Sequence, residues 1–252
     1  MPHKDLPLYV ISLARRPERR AAMQARLGAL GLAFSFIEAV DGLHPIPDLE
    51  RTYNPQKRLR IYGTELSPYE IACGLSHLQA CETIAASPEG IGLILEDDAL
   101  PAPELPAVIA AIKKLEQKFD VIRLAGIRPR PTKLVQKLDA THSLARLYGG
   151  ACGAQAYVIT AEGARKFIKY ALPFTQQIDI LLDEYYFNGL NTYAVQPYPV
   201  MVDEESPSTI PARARNDCRH KRALFYRIMP RKWPSDIARY LYHWRHYRLG
   251  AG

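Results

Sequence analysis

The chain has no unbroken apolar run of ~18 residues, so no segment is long enough to cross a bilayer as a helix. It has four cysteines and no CxxC pair. Cys73 and Cys81 fall within one helical pattern, while Cys152 and Cys218 stand alone. That spacing indicates neither a zinc ribbon nor a disulfide framework, and it fits a reduced, cytoplasmic setting. Met1-Pro2-His3-Lys4-Asp5 leads straight into a strand-like run, with no basic segment followed by a long apolar one, so no secretory signal is expected. Gly149-Gly150-Ala151-Cys152-Gly153 is rich in glycine but lacks the spacing of a phosphate-binding loop. It marks backbone that must come close to something.

What is present supports a sizeable core. The chain has 252 residues, 48% of them apolar, enough for one large α/β domain or a domain with a small appendage. The net charge of +7 is unevenly placed. Residues 1–212 carry 22 Lys and Arg against 24 Asp and Glu, and residues 213–252 carry 11 against 2. The basic character therefore belongs to the tail, and 1–212 is the expected catalytic body.

The body is organised around Gly92-Leu93-Ile94-Leu95-Glu96-Asp97-Asp98-Ala99-Leu100. A short apolar run of strand length ends in three consecutive carboxylates. Adjacent carboxylates repel and raise one another's pKa unless a cation neutralises them. A hard divalent cation held by oxygen and open to a phosphate-bearing ligand accounts for the cluster. So does a solvated turn, with Asp98 capping the next element. In an open α/β sheet, ligands bind at the carboxyl ends of strands.

Leu8 to Leu13 reads as a first strand. Arg15-Arg16-Pro17-Glu18-Arg19-Arg20 opens a helix, with Pro17 in the first turn and Gly31 as its stop. This turn can set guanidiniums and free N–H groups against a phosphate, and Arg16 and Arg19 are the candidates. Ala33 to Val40 is a second strand, broken at Asp41-Gly42. Residues 43–66 show no periodicity and read as a long loop. Ser67-Pro68-Tyr69-Glu70 is a capping box for a helix to about Ala86 that carries His77. Glu104 to Lys118 reads as a helix and Asp120 to Gly126 as a strand. Residues 127–148 are polar and irregular, with a hairpin as their regular option, and Ala154 to Thr160 is a strand whose Thr160 can cap the next helix. Ile178 to Phe187 reads as one helix with Asp179 and Asp183 on a shared face, mutually unfavourable unless used or partnered. Ala194 to Pro199 reads as a late edge strand, followed by the acidic Asp203-Glu204-Glu205. The alternation of strands and helices around the acidic turn predicts a mostly parallel sheet.

From Arg213 on, cations alternate with Phe225, Tyr226, Trp233, Tyr240, Tyr242, Trp244 and Tyr247. This composition suits an anionic membrane surface or nucleic acid. The membrane is favoured, because the slightly acidic body would repel a phosphate backbone. A C-terminal helix simply packed on the body is the plain alternative.

Several landmarks, taken in order over about residues 8–210, resemble glycosyltransferase family 25, whose bacterial members build lipopolysaccharide or lipooligosaccharide. They are Tyr9 to Leu13 with Pro17 to Arg20, Ala39-Val40-Asp41-Gly42, Leu66 to His77, Leu93 to Ala99, Gly153 to Ala164, and Ile178-Asp179. Ser12 stands where that family usually has Asn, and Ala72 where it usually has Gly. The resemblance implies a GT-A-like Rossmann-type sandwich that binds a nucleotide sugar. It implies an inverting hexosyl transfer, from UDP-galactose in the first instance, to a glycolipid or oligosaccharide acceptor. Mn²⁺ or Mg²⁺ would be held by Asp98 with Glu96 and would stabilise the departing diphosphate as a Lewis acid. Ser12, Arg16, Arg19, His77, Glu96 and Asp97 would line the donor site, and Asp179, then Asp183, would be the general base. The expected location is the cytoplasmic face of the membrane. Transfer of glucose or an N-acetylhexosamine, a nucleotidyltransferase, a nucleic-acid module built on the tail, and an inactive family member remain the alternatives.

Overall fold

The computed structural model describes residues 5–46, 48–127, 129–202 and 237–244. The acidic Asp203-Glu204-Glu205, Cys218, the boundary at 212/213 and most of the basic aromatic tail lie outside the described residues.

The core is an eight-stranded sheet. In chain order its strands are β1 (Leu8–Ser12), β2 (Ser35–Glu38), β3 (Ile91–Glu96), β5 (Val121–Arg123), β6 (Thr132–Lys137), β7 (Ser143–Leu147), β8 (Ala156–Thr160) and β9 (Thr192–Gln196). Across the sheet the order is β2-β1-β3-β8-β5-β9-β7-β6. A short strand β4 (Ala99–Pro101) pairs separately with β10 (Val200–Val202). The pairs β2/β1, β1/β3 and β5/β9 are parallel, and β8 and β7 run against their neighbours. Six of the eight strands therefore point one way, as a mostly parallel sheet requires, with β8 reversed in the middle.

Helices cover both faces. Helix α1 (Pro17–Ala29) and α5 (Leu105–Lys113) close one core through Met23, Leu27, Val108 and Ile112. Helices α4 (Pro68–Ala86), α6 (Ala161–Ala171) and α7 (Ile178–Asp183) close the other through Ile71, Ile84, Phe167 and Leu181. Strand β3, buried from Ile91 to Leu95, serves both cores. Such a continuous apolar run is what a strand covered on both faces needs.

Local chemistry sets several boundaries. The capping box at α4 is complete: Ser67 Oγ accepts from the Glu70 N–H at 3.3 Å, and Glu70 Oε2 accepts from the Ser67 N–H at 2.8 Å. Thr160 caps α6 by accepting from the Gly163 N–H at 3.0 Å. Residues 127–148 do form a hairpin, β6/β7, with an irregularity between Leu134 and Gln136.

Four expectations change. Residues 43–66 are not one long loop but hold α2 (Leu49–Thr52) and α3 (Pro55–Tyr62). Asn54 accepts from the Lys57 N–H at 2.9 Å, Pro55 takes the first turn, and the buried Arg58 donates to the Thr64 and Thr175 carbonyls at 3.0 Å each. Helix α5 stops at Lys113 although Leu115 is buried, because apolar period reports burial and not helical hydrogen bonding. The helix read over 178–187 breaks at Glu184 into α7 and α8 (Tyr185–Asn188), with Gly189 left-handed at the stop. Strand β9 is internal, between β5 and β7, since Pro197 and Pro199 fall just beyond its end.

Residues 237–244 form a helix, α9. Its Tyr242 hydroxyl accepts from Arg146 at 3.3 Å. His243 Nε2 lies 3.3 Å from the Tyr185 hydroxyl, and its ring stacks on Tyr148. Ile237, Tyr240, Leu241 and Trp244 face solvent from the other side. No helix among the described residues is long and apolar enough to cross a membrane.

Candidate active site

A cleft of about 340 Å³ opens at the carboxyl ends of β1 and β3. Its walls come from Ser12 and Arg19, from Val40-Asp41-Gly42, from Cys73 and His77 on α4, from Glu96-Asp97-Asp98, from Gly153 to Gln155, and from Asp179. At Gly42 a Cβ would sit 2.8 Å from the Tyr69 Cα, so only glycine lets this turn lie against the start of α4.

The three acids after β3 have three different surroundings. Asp97 is neutralised within the protein: Arg19 donates to Oδ1 at 2.6 Å and Ser12 Oγ donates to Oδ2 at 2.7 Å. Glu96 lies 3.2 Å from His77 Nε2, while His77 Nδ1 lies 3.0 Å from the Tyr157 hydroxyl. Asp98 has a buried Oδ1 with no hydrogen-bond partner. Burial, then the Glu96 charge, pushes the Asp98 carboxyl up to about 7, against the opposing pull of Arg19. A carboxylate oxygen without a donor, on a cleft-lining residue next to the Glu96 charge, matches the donor set of a hard divalent cation. Asp98 and Glu96 therefore fit such an ion, and Asp97 is already satisfied.

The two aspartates of α7 separate. Asp179 lines the cleft, accepting from the Ile180 N–H at 2.9 Å and, through Oδ2, from the Gly153 N–H at 3.3 Å. Asp183 does not line it. Asp183 Oδ1 accepts from Arg123 at 2.7 Å and Oδ2 from the Cys152 N–H at 2.8 Å. Burial pushes its carboxyl above the ordinary range despite Arg123. A Cβ on Gly150 would run into this carboxylate, and Arg123 also donates to the Gly153 carbonyl. Asp183 is thus what the glycine-rich segment comes close to.

Of the basic candidates, Arg19 is buried in the wall and Arg16 is turned to Glu18 at 2.6 Å, outside the cleft. The residue at the mouth is Arg15, ion-paired with Asp41. Sequence reasoning misses Arg15, Asp41 and Gln155. It also misses that Cys73, His77 and Glu96 bring their ligand atoms within 4.8 Å of one another. The spacing of Cys73 and His77, one helical turn apart, is the available signal.

The family model described as glycosyltransferase family 25 (LPS biosynthesis protein) matches residues 5–182. The lacto-N-neotetraose biosynthesis glycosyltransferase LgtE of Neisseria gonorrhoeae is 30% identical over 210 residues, covering 75% of this chain and 71% of that protein. The human inactive glycosyltransferase 25 family member 3 is 28% identical over 193 residues, covering 71% of this chain and 32% of that one. A Drosophila β-1,4-galactosyltransferase 7, solved with manganese, UDP-Gal and xylobiose, superposes at a TM-score of 0.37 with 13% identity, covering 82% of this chain and 71% of that one. That distance carries no argument about ligands. The chain belongs to glycosyltransferase family 25.

Proposed function

We propose that the protein is an active, inverting hexosyltransferase that moves galactose from UDP-galactose onto a hydroxyl of a lipopolysaccharide or lipooligosaccharide glycan. The observation that carries this reading is the buried Asp98 Oδ1 without a hydrogen-bond partner, on a residue that lines one cleft together with Asp179. Asp98 and Glu96 would hold Mn²⁺ or Mg²⁺, which when bound neutralises charge on the departing diphosphate. Arg19 and Ser12 fix Asp97, and through it the acidic turn, in place. The nucleotide would lie along Ser12 and Val40-Asp41-Gly42, with Arg15 and His77 beside it. Asp179 accepts the proton of the acceptor hydroxyl as that oxygen attacks the anomeric carbon from the far face. Asp183, tied to Arg123, keeps the glycine-rich wall in position and takes no proton.

Galactose is taken from the resemblance to the family; a few pocket contacts decide the donor, so glucose and an N-acetylhexosamine are the competing substrates in the assay. Asp179→Asn should lower kcat by about 10²–10⁴-fold, with donor binding within about threefold of wild type. Steady-state transfer and isothermal titration with UDP-galactose and Mn²⁺ read the two separately. An unchanged kcat would remove Asp179 from the chemistry.

The acceptor side would lie at the cytoplasmic face of an anionic membrane. Support comes from the 11 Lys and Arg in residues 213–252 and from the apolar stripe Ile237, Tyr240, Leu241 and Trp244 on α9. Co-sedimentation with vesicles containing phosphatidylglycerol should fall at least about tenfold when Tyr240, Leu241 and Trp244 are changed to Ser. Equal binding by the variant would overturn the membrane reading.

A further inference from the structure

Cys73 and His77 lie one turn apart on α4 and both line the cleft. Glu96, at the carboxyl end of β3, meets them from the sheet. We propose that Cys73 Sγ, His77 Nε2 and a Glu96 oxygen form a binding site for a thiophilic divalent cation such as Zn²⁺, distinct from the all-oxygen set of Asp98. The donor types decide the class of ion. Sulfur and imidazole favour zinc, while carboxylate and water favour magnesium or manganese. Three protein ligands with the fourth position open to the cleft is the pattern of an exchangeable zinc site and not of a closed structural one.

The geometry is close to what such an ion needs. Bonds of roughly 2.0–2.3 Å to a tetrahedral ion set ligand atoms roughly 3.3–3.8 Å apart. His77 Nε2 and Glu96 Oε1 are 3.2 Å apart, and all three ligand atoms lie within 4.8 Å. The other ring nitrogen, Nδ1, lies 3.0 Å from the buried Tyr157 hydroxyl, whose ring stacks on the imidazole. That contact fixes the ring with Nε2 toward the site, as partners behind ligating histidines do. Without an ion, burial and then the charges of Glu96, Asp179 and Asp98 push the Cys73 thiol up. A dication reverses that balance; on binding, the Cys73 proton passes to bulk water. Glu96 belongs to this set and, under the proposed function, to the harder ion's set as well, so the two ions compete for that carboxylate.

The test uses the whole chain, stripped of metal, and the metal alone. Titration with Co²⁺ should give one equivalent of bound ion with a sulfur-to-cobalt charge-transfer band in the near ultraviolet, displaced by one equivalent of Zn²⁺. Cys73→Ser should abolish the band and weaken Zn²⁺ binding at least about 100-fold, more than loss of an outer-shell partner costs. His77→Gln should weaken it similarly, and Asp98→Asn should leave it within about threefold. Absence of the band in the wild-type protein would overturn the proposal. So would Zn²⁺ affinity that survives Cys73→Ser, or that falls equally with Asp98→Asn. None of these readouts depends on sugar transfer, so failure of the proposed activity and failure of this site are separate results.

Discussion

Asp98→Asn should lower sugar transfer by about 10²–10³-fold at saturating Mn²⁺, the effect of removing one fixed electrostatic contact to developing charge. The same change should raise the stability of the metal-free protein near pH 8. Both effects come from one oxygen. The Asp98 carboxyl is buried with no partner at Oδ1, and its pKa stands at about 7 against an ordinary 3.8. Between those values the native state holds a proton that the unfolded chain has lost. Stability of the metal-free protein therefore falls as pH rises through this window, by at most about 1.4 kcal/mol per unit. Asparagine cannot ionise, so the variant's melting temperature should be flatter across pH 5–8. Added Mn²⁺ should lift the wild-type melting temperature at pH 8 and leave the variant's unchanged. Wild-type activity that survives EDTA, or a variant with undiminished turnover, would end the proposal that this acid grips a cation.

The second large effect lies behind the cleft. Arg123→Ala should lower stability by about 3–5 kcal/mol, the usual result of leaving one member of a buried ion pair alone. For a chain of this size that is about 6–20 °C in melting temperature. Arg123 is only 1% exposed and is bonded to both Asp183 and the Gly153 carbonyl. Its removal strands the Asp183 carboxylate in the interior and frees one support of the glycine-rich wall. Differential scanning calorimetry measures the change. A shift under about 2 °C would mean that water or another cation replaces the guanidinium without loss.

Much of this architecture is legible in the chain. Helix α4 can be read end to end because its start is a complete local signal: Ser67 and Glu70 satisfy each other's N–H groups with no help from the rest of the fold. Strand β3 and its acids are legible because a doubly covered strand must be apolar throughout. Helix α3 is hidden because Arg58, a polar residue by composition, is buried and bonded to carbonyls from two distant segments. No periodicity scan scores a buried arginine as core. Asp179 and Asp183 do share one helix, yet their roles diverge through Arg123 and Cys152, partners far away in sequence. The direction of β8 has no local signature at all, since pairing partners choose it.

That reversed strand has a consequence for how the enzyme comes into being. Because β8 runs against β3, it begins beside the end of β3, and the Glu96 N–H bonds the Gln155 carbonyl at 2.9 Å. Had β8 run parallel, residues 153–155 would emerge at the opposite rim, and Asp179 after them. During synthesis, the half of the molecule carrying the acids must therefore wait for some sixty further residues before its cleft has a second side, and ends of such separation meet slowly. A ribosome-bound chain stalled near residue 150 would hold the acidic turn and no enclosed place for a sugar.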